Sequence, residues 1–205
     1  MDYGFKDLKD PNAYNPERSK QLLAEDGWKD TDGDGILDKD GKPLTFDFVV
    51  YNSRAELPLY AEAVQADLKK VGIDMKIKTV DYNLIDKMGQ DGDYDMLISN
   101  IVTANTGDPI WFLSNYWHTN IDGSNPQNGS GYSNPQVDQL LDAAETEFDP
   151  AKRRDYAIQI QQLLMNDGAA LFLGYPKTNI VTGSYLKGAV MYPSDYYWIT
   201  NKITK

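Results

Sequence analysis

Cysteine is absent from the 205 residues, which excludes disulfides, thiolate metal sites and cysteine nucleophiles. The absence suits an extracytoplasmic setting, where stray thiols oxidise. Histidine occurs once, as His118, too few for most acid–base schemes. No Gly-rich phosphate loop, G-x-S-x-G or H-E-x-x-H is present, so the reading is of a non-enzyme. No apolar run approaches the about 20 residues that span a bilayer. The opening MDYGFKDLKD is polar and charged, unlike the basic-then-apolar start of a leader. Positive charge is scarce: 20 Lys+Arg face 31 Asp+Glu, a net −11. That balance argues against a nucleic-acid partner and against an anionic membrane surface.

What is present is a soluble, globular pattern. Hydrophobic residues make up 41% of the chain, enough for a core, and 14 Tyr with 4 Trp supply the aromatics that recognition surfaces use. In YNPERSKQLLAEDGW, Asn15 caps a helix, Pro16 opens it and Gly27 stops it. LTFDFVVYN (44–52) alternates as a strand, with Leu44, Phe46, Phe48 and Val50 on one face. ELPLYAEAVQADLKKVG then predicts a helix ending at Gly72, with Leu59, Ala63, Ala66 and Leu68 near helical spacing. IDMKIKTVD alternates again, YNLIDKMGQ reads as a short helix, and YDMLISNIV (94–102) as a buried strand. Strand, helix, strand, helix, strand implies right-handed crossovers and an α/β sheet.

From Thr103 to Pro135 the chain is crowded with Asn, Gly, Ser and Pro and studded with Trp111, Phe112, Tyr116, Trp117 and Tyr132. Apart from a short helix over Pro109–Asn115, this predicts a long loop, and the aromatics favour a functional one. NPQVDQLLDAAETEF and DPAKRRDYAIQIQQLLMNDG predict two helices, each with an Asn or Asp cap before proline. The second stacks Tyr156, Ile160, Leu163 and Leu164 on one side. AALFLGYP and TNIVTG are expected as final strands before an aromatic tail.

KDTDGDGILDKDGKP leaves two readings open. Asp30, Asp32, Asp34 and Asp38, with Gly35 in the sixth place, follow a calcium loop of the EF-hand type. The twelfth place is Gly41, however, and a strand rather than a second helix follows. The alternative is a hairpin turning at Asp40-Gly41, with Ile36-Leu37 pairing towards Pro43-Leu44. A calcium-stabilised structural module is thus the alternative account of the chain.

NPERSKQLLAEDGWKDTDGDGILDKDGKPLTFDFVV resembles the corresponding segment of family 5 extracellular solute-binding proteins, the peptide and nickel receptors of ABC importers. Glu25-Asp26-Gly27-Trp28 stands where the family usually has E-A-G-W. The likeness continues through DLKKVGIDMKI, GDYDMLIS, GDP (107–109), GYSNPQVDQLLDAA and DPAKRRDYAIQIQQLLMND, covering nearly the whole chain. The resemblance implies one lobe (1–205) of a type II periplasmic-binding-protein-like fold, a mixed sheet flanked by helices. Residues 103–135 would form its ligand-facing loop region. The N-terminal lobe, leader and lipid-anchoring cysteine would belong to other parts of a longer extracytoplasmic protein, periplasmic or surface-anchored.

The implied function is capture of a nickel chelate or an oligopeptide between two lobes and delivery to ABC permease subunits. No cofactor is required; nickel would be cargo, and calcium at most a stabiliser. Ligands of open α/β sheets bind beyond the carboxyl ends of strands, which singles out Asn100, Thr103, Asn105, Thr106 and Asp108. In peptide-binding relatives an aspartate of this loop pairs with the peptide's amino terminus, and Asp108 is the acid available; capping the helix at Pro109 is its alternative role. IVTANTG offers small polar residues where relatives offer Trp or Tyr, which tilts the resemblance towards nickel or metallophore uptake. His118 is then the candidate metal-chelate ligand, with an exposed, idle histidine as its alternative. Trp117 and Tyr132 divide between stacking on ligand and packing, and Tyr196, Tyr197 and Trp198 are expected as core or hinge contacts with the other lobe.

Overall fold

An asparagine or aspartate followed by proline opens helix after helix in this chain, whose computed structural model describes residues 6–103, 108–175, 179–190 and 200–205. Asn15 accepts the Arg18 amide, and Pro16 opens α1 (Pro16–Glu25), since proline lacks only a donor that a first turn leaves unused. The Asp-rich stretch then folds back on itself. Asp40 and Gly41 sit at φ 54° and 74°, as a two-residue hairpin turn requires, and β1 (Asp38–Lys39) pairs antiparallel with β2 (Lys42–Pro43).

The main sheet follows from the expected alternation: β3 (Thr45–Tyr51), α2 (Glu56–Lys69), β4 (Asp74–Val80), a 3-10 turn (Tyr82–Leu84), α3 (Ile85–Asp91) and β5 (Met96–Leu97). Its order is β4-β3-β5, with both pairings parallel. Right-handed crossovers running first one way and then the other place α2 and α3 on opposite faces. Hence Phe48, Val49, Val50 and Tyr51 are all buried, as a central strand covered on both faces requires, instead of the one-sided alternation expected of it. β5 is far shorter than the predicted 94–102, since its ladder is confined to Phe48↔Met96 and Val49↔Leu97.

The buried stripe of α2 is Leu57 and Ala61, with Tyr60, Val64 and Leu68 packed beside them. Leu59, Ala63 and Ala66, expected on that face, are exposed, because the sheet meets the helix about half a turn away. The helix ends in a Schellman motif: Gly72 N–H donates to the Lys69 carbonyl and Ile73 N–H to Leu68. Gly72 has φ 84°, and a Cβ there would lie 2.6 Å from Leu37 Cγ. Gly72→Ala is therefore expected to lower the unfolding free energy by about 2 kcal/mol, from backbone strain plus displacement of Leu37. Urea denaturation followed by circular dichroism measures it; an unchanged midpoint would show that the turn relaxes freely.

A second core lies among α4 (Pro109–Trp117), α5 (Pro135–Thr146) and α6 (Pro150–Asn166), where Ile110, Leu113, Trp117, Val137, Leu141, Ala144, Ala157, Ile160 and Leu164 are buried together. α4 runs two residues beyond the expected Asn115. In α6 the buried positions are Ala157, Ile160 and Leu164, with Tyr156 and Leu163 only partly covered. The predicted final strands are not strands. Residues 169–175 and 179–183 carry no ladder, and Leu171, Phe172 and Tyr175 are exposed. An apolar run becomes a strand only where a partner offers matching N–H and C=O groups, and no described strand lies beside this one. Lys187 and Thr204 make an isolated antiparallel bridge.

Candidate functional site

β3 lies between β4 and β5, and ligands of open α/β sheets bind beyond the carboxyl ends of the strands, so the edge where β3 and β5 end is the candidate site. Tyr51 closes β3 at this edge, and its hydroxyl accepts the Asn100 amide at 3.1 Å. Tyr82, exposed, stands edge-on to Tyr51 with ring centroids 5.1 Å apart. Asn100 and Thr103 lie at the same edge, half-buried and following β5. Asn105 and Thr106 fall outside the described residues. Arg54, exposed between β3 and α2, has no ion-pair partner among the described residues. Sequence reasoning missed Arg54 and Tyr82 at this edge and Tyr51 beneath it. The available signal was position: Tyr51 near the end of the predicted strand 44–52, Arg54 and Tyr82 just beyond predicted strands.

Asp108 is engaged within the chain. One carboxylate oxygen accepts the Ile110 amide at 2.9 Å, capping α4. The other accepts the Arg153 guanidinium. Arg153 also donates to the carbonyls of Ala144 and, at 3.0 Å, of Glu147, so it satisfies the open end of α5 as well.

His118, Trp117 and Tyr132 form a separate group at the other end of α4. A nine-residue helix places them about 13 Å along its axis from Asp108. The His118 ring faces α5: Nε2 lies 3.2 Å from Asp142 Oδ1, and Nδ1 lies 3.3 Å from the Thr119 carbonyl and 3.6 Å from Asp138 Oδ1. Burial draws its pKa down, but the Thr119 carbonyl and the carboxylates of Asp142 and Asp138 outweigh burial and hold it above the ordinary 6.5. A pKa raised in the folded state stabilises the fold fully below the unfolded value and ceases to do so as pH rises through the folded one. The gap in melting temperature between wild type and His118→Gln is therefore expected to be widest below the unfolded value of about 6.5 and to shrink as pH rises above it. A gap that does not change with pH would contradict this pairing. Trp117 is only 7% exposed and meets Tyr132 edge-on at 5.8 Å. The Tyr132 hydroxyl donates to Asp167 at 2.6 Å, and burial, then this bond, raise its pKa to about 12. Both aromatics pack here.

The Asp-rich hairpin lies at the opposite edge. Leu37 N–H donates to the Gly72 carbonyl and Asp74 N–H to Leu44, which ties it to the amino ends of β3 and β4. A seven-residue strand puts about 20 Å between this edge and Asn100. Carboxylate oxygens of Asp30, Asp32 and Asp38 lie within 4.8 Å of one another. All four carboxylates also accept bonds within the loop: Asp30 from the Gly33 and Gly35 amides, Asp32 from Asp34, Asp38 from Thr31 and Asp34 from Ile36 at 2.7 Å. Calcium takes roughly six to eight oxygens, so these three carboxylates make a partial ligand set that carbonyls and water would complete. A cleft of about 330 Å³ beside it is lined by Trp28, Asp30, Leu37 and Val71, among others.

Parallel strands joined by crossover helices define an α/β lobe of the type II periplasmic-binding kind that its structural relatives share. The family model for bacterial extracellular solute-binding proteins, family 5 Middle, matches residues 1–124, and the chain belongs to that family. It is 32% identical over 196 residues to the oligopeptide-binding protein AppA of Bacillus subtilis, covering 92% of this chain and 34% of AppA. To the nickel-binding protein NikA of Staphylococcus aureus it is 26% identical, over 96% of this chain and 38% of NikA. The structure of AppA in complex with a nonapeptide superposes with a TM-score of 0.69 and 30% identity, covering 80% of this chain and 32% of that one. S. aureus NikA with Ni(L-His)2 superposes at 0.65 and 27%, covering 79% and 32%. The chain thus spans about a third of the length of the relatives it matches. The family is extracytoplasmic and binds solutes rather than transforming them, and no helix among the described residues is long and apolar enough to cross a membrane.

Proposed function

We propose that this chain is one lobe of the solute receptor of an ABC importer and that its solute is an oligopeptide. The peptide lies in the crevice between the carboxyl ends of β3 and β5, and closure of a second lobe completes the site before delivery to the permease. The observation that carries the peptide reading is the position of His118. Its ring is turned onto Asp138 and Asp142 of α5, at the far end of α4 from Asn100 and Thr103, so a metal chelate in the crevice would gain no imidazole from it. The crevice edge offers what an extended peptide uses: hydrogen-bonding groups at Asn100 and Thr103, the ring of Tyr82, and the Arg54 guanidinium for a carboxylate. Asp108, held by Ile110 and Arg153, supports this edge and does not serve as the anchor for a peptide amine. The receptor works in the periplasm or tethered to the cell surface.

Calorimetric titration of the two-lobed protein with a peptide mixture, and separately with nickel plus histidine, tests this. Heat is expected with peptides, with affinity about tenfold weaker in Arg54→Ala and unchanged in His118→Ala. Heat with nickel–histidine alone, lost in His118→Ala, would replace the peptide reading with metal uptake. Calcium enters only as a stabiliser of the Asp30 hairpin: millimolar calcium should raise the melting temperature of the wild type and not of Asp30→Ala.

A further inference from the structure

The segment that follows β5 is fastened at two points by residues outside the crevice. At its start, the Asn100 amide donates to the Tyr51 hydroxyl at 3.1 Å, just after Ile98 N–H joins the Val49 carbonyl at 3.0 Å. Tyr51 is 2% exposed and braced by Tyr82, so that hydroxyl is a fixed post. At its far end Asp108 divides its two oxygens between the first turn of α4 and Arg153. The Arg153 side chain is 21% exposed and is itself held by the Ala144 and Glu147 carbonyls. One guanidinium thus joins the start of α4, the end of α5 and the first turns of α6. Nothing in the capping of α4 demands this. Asp108 caps through one oxygen, and the ion pair is an addition to the cap.

We propose that Tyr51 and Arg153 are positioning residues for solute binding, with Arg153 acting through Asp108. Neither lies where it would touch the solute. Together they fix where the polar crevice residues Asn100 to Thr103 leave the sheet and where the chain enters α4. Ordering these residues before the solute arrives removes a cost that binding would otherwise bear. The pair also links crevice to helical core, so a change in the packing of α5 against α6 is felt at the crevice edge. This rests on the reading of the crevice as the solute site.

Asp108→Asn separates the two roles of Asp108, because asparagine caps a helix as well as aspartate but forms no ion pair. Hydrogen–deuterium exchange on the 205-residue chain is the first readout and needs no ligand. In Asp108→Asn and Arg153→Met, the Asn100 amide, which the Tyr51 hydroxyl accepts, should exchange about tenfold faster, with β3 and α2 unchanged. Tyr51→Phe should do the same. Arg153→Lys should lose less protection than Arg153→Met, since a lysine still reaches as a point charge. Acceleration spread evenly over the chain, or absent from Asn100, would overturn the proposal and leave Arg153 as a helix fastening alone. The second readout is affinity of the two-lobed protein for the peptide mixture, expected to weaken about fivefold in Asp108→Asn while its melting temperature stays near that of the wild type. Wild-type protein that binds no peptide would defeat the functional reading, whereas the exchange pattern would still decide whether the posts hold.

Discussion

Leu141→Ala should lower the unfolding free energy by about 3–4 kcal/mol, the largest loss expected from any single truncation in α5. Leu141 has 0% exposure and lies within the cluster formed by Ile110, Leu113 and Trp117 of α4 and Ile160 and Leu164 of α6. Removing three carbons there forfeits their transfer free energy and leaves a cavity that three crossing helices close only in part. Against a total stability of about 5–15 kcal/mol for a domain, such a loss is severe. Leu22→Ala is the matched control: Leu22 is 48% exposed on a helix with no buried residue, and its truncation should change stability by less than about 0.5 kcal/mol. Urea denaturation measures both, and the emission of Trp117 should shift to the red in Leu141→Ala as its surroundings loosen. A loss below about 1.5 kcal/mol would mean that α4 and α6 collapse onto the gap, and the helical core would then be softer than its burial implies.

The consequence for binding lies in what this core holds. α4 begins at Asp108, and the α5–α6 corner carries the Arg153 contact to it. The helical cluster therefore holds the chain at Asp108, while the sheet holds it at Asn100 through Tyr51. On the proposed reading the solute edge draws on both cores, as suits a site that must combine rigid elements with polar loop groups.

Elements set by local chemistry were legible in the sequence. Asn15-Pro16, Asn134-Pro135 and Asp149-Pro150 each announced a helix that is found where expected, and Asp40-Gly41 announced its hairpin. These signals act within a few residues. Where the outcome depended on a distant partner, legibility failed. The face of α2 is chosen by β3 and β4, which is why Leu57 rather than Leu59 is buried. The run at 169–175 is apolar enough for a strand but has no described partner. At the site, alternation of strands and helices placed Asn100, Thr103 and Asp108 at one edge. It did not reveal that Asp108 meets a residue 45 positions away. The orientation of His118 had a faint signal in Asp138 and Asp142, which at i, i+4 share a helix face and offer an imidazole two carboxylates.

The segment between α4 and α5 was the least legible, and it gives the second large effect. Its composition reads as irregular, yet side-chain bonds order it, with one buried amide among them. Asn128, 3% exposed and the only buried polar residue among those described, donates from Nδ2 to the carbonyls of His118 at 2.9 Å and Tyr132 at 2.8 Å. Its Oδ1 accepts the Ser130 hydroxyl at 2.8 Å. The amide thus ties the end of α4 to the approach of α5, as a short inner rung would. Asn128→Leu keeps much of the volume but strips the donor, leaving two carbonyls facing an apolar group. At 1–3 kcal/mol for each unsatisfied buried group, moderated by the Asn125 bond that His118 keeps, the expected loss is about 3 kcal/mol. Asn128→Asp should be at least as damaging, because a carboxylate would present only acceptors to two carbonyl oxygens and would have to take up a proton to be tolerated. Denaturation gives the energy, and hydrogen exchange shows where it goes: amides of Thr119 and Asn125 should lose protection while those of β3 keep theirs. If either variant falls by less than about 1 kcal/mol, the segment is held chiefly by the paired bonds from Thr119 to Asp138 and by Tyr94 donating to the Gly129 carbonyl. Asn128 would then be a satisfied passenger in a loop that other contacts had already closed.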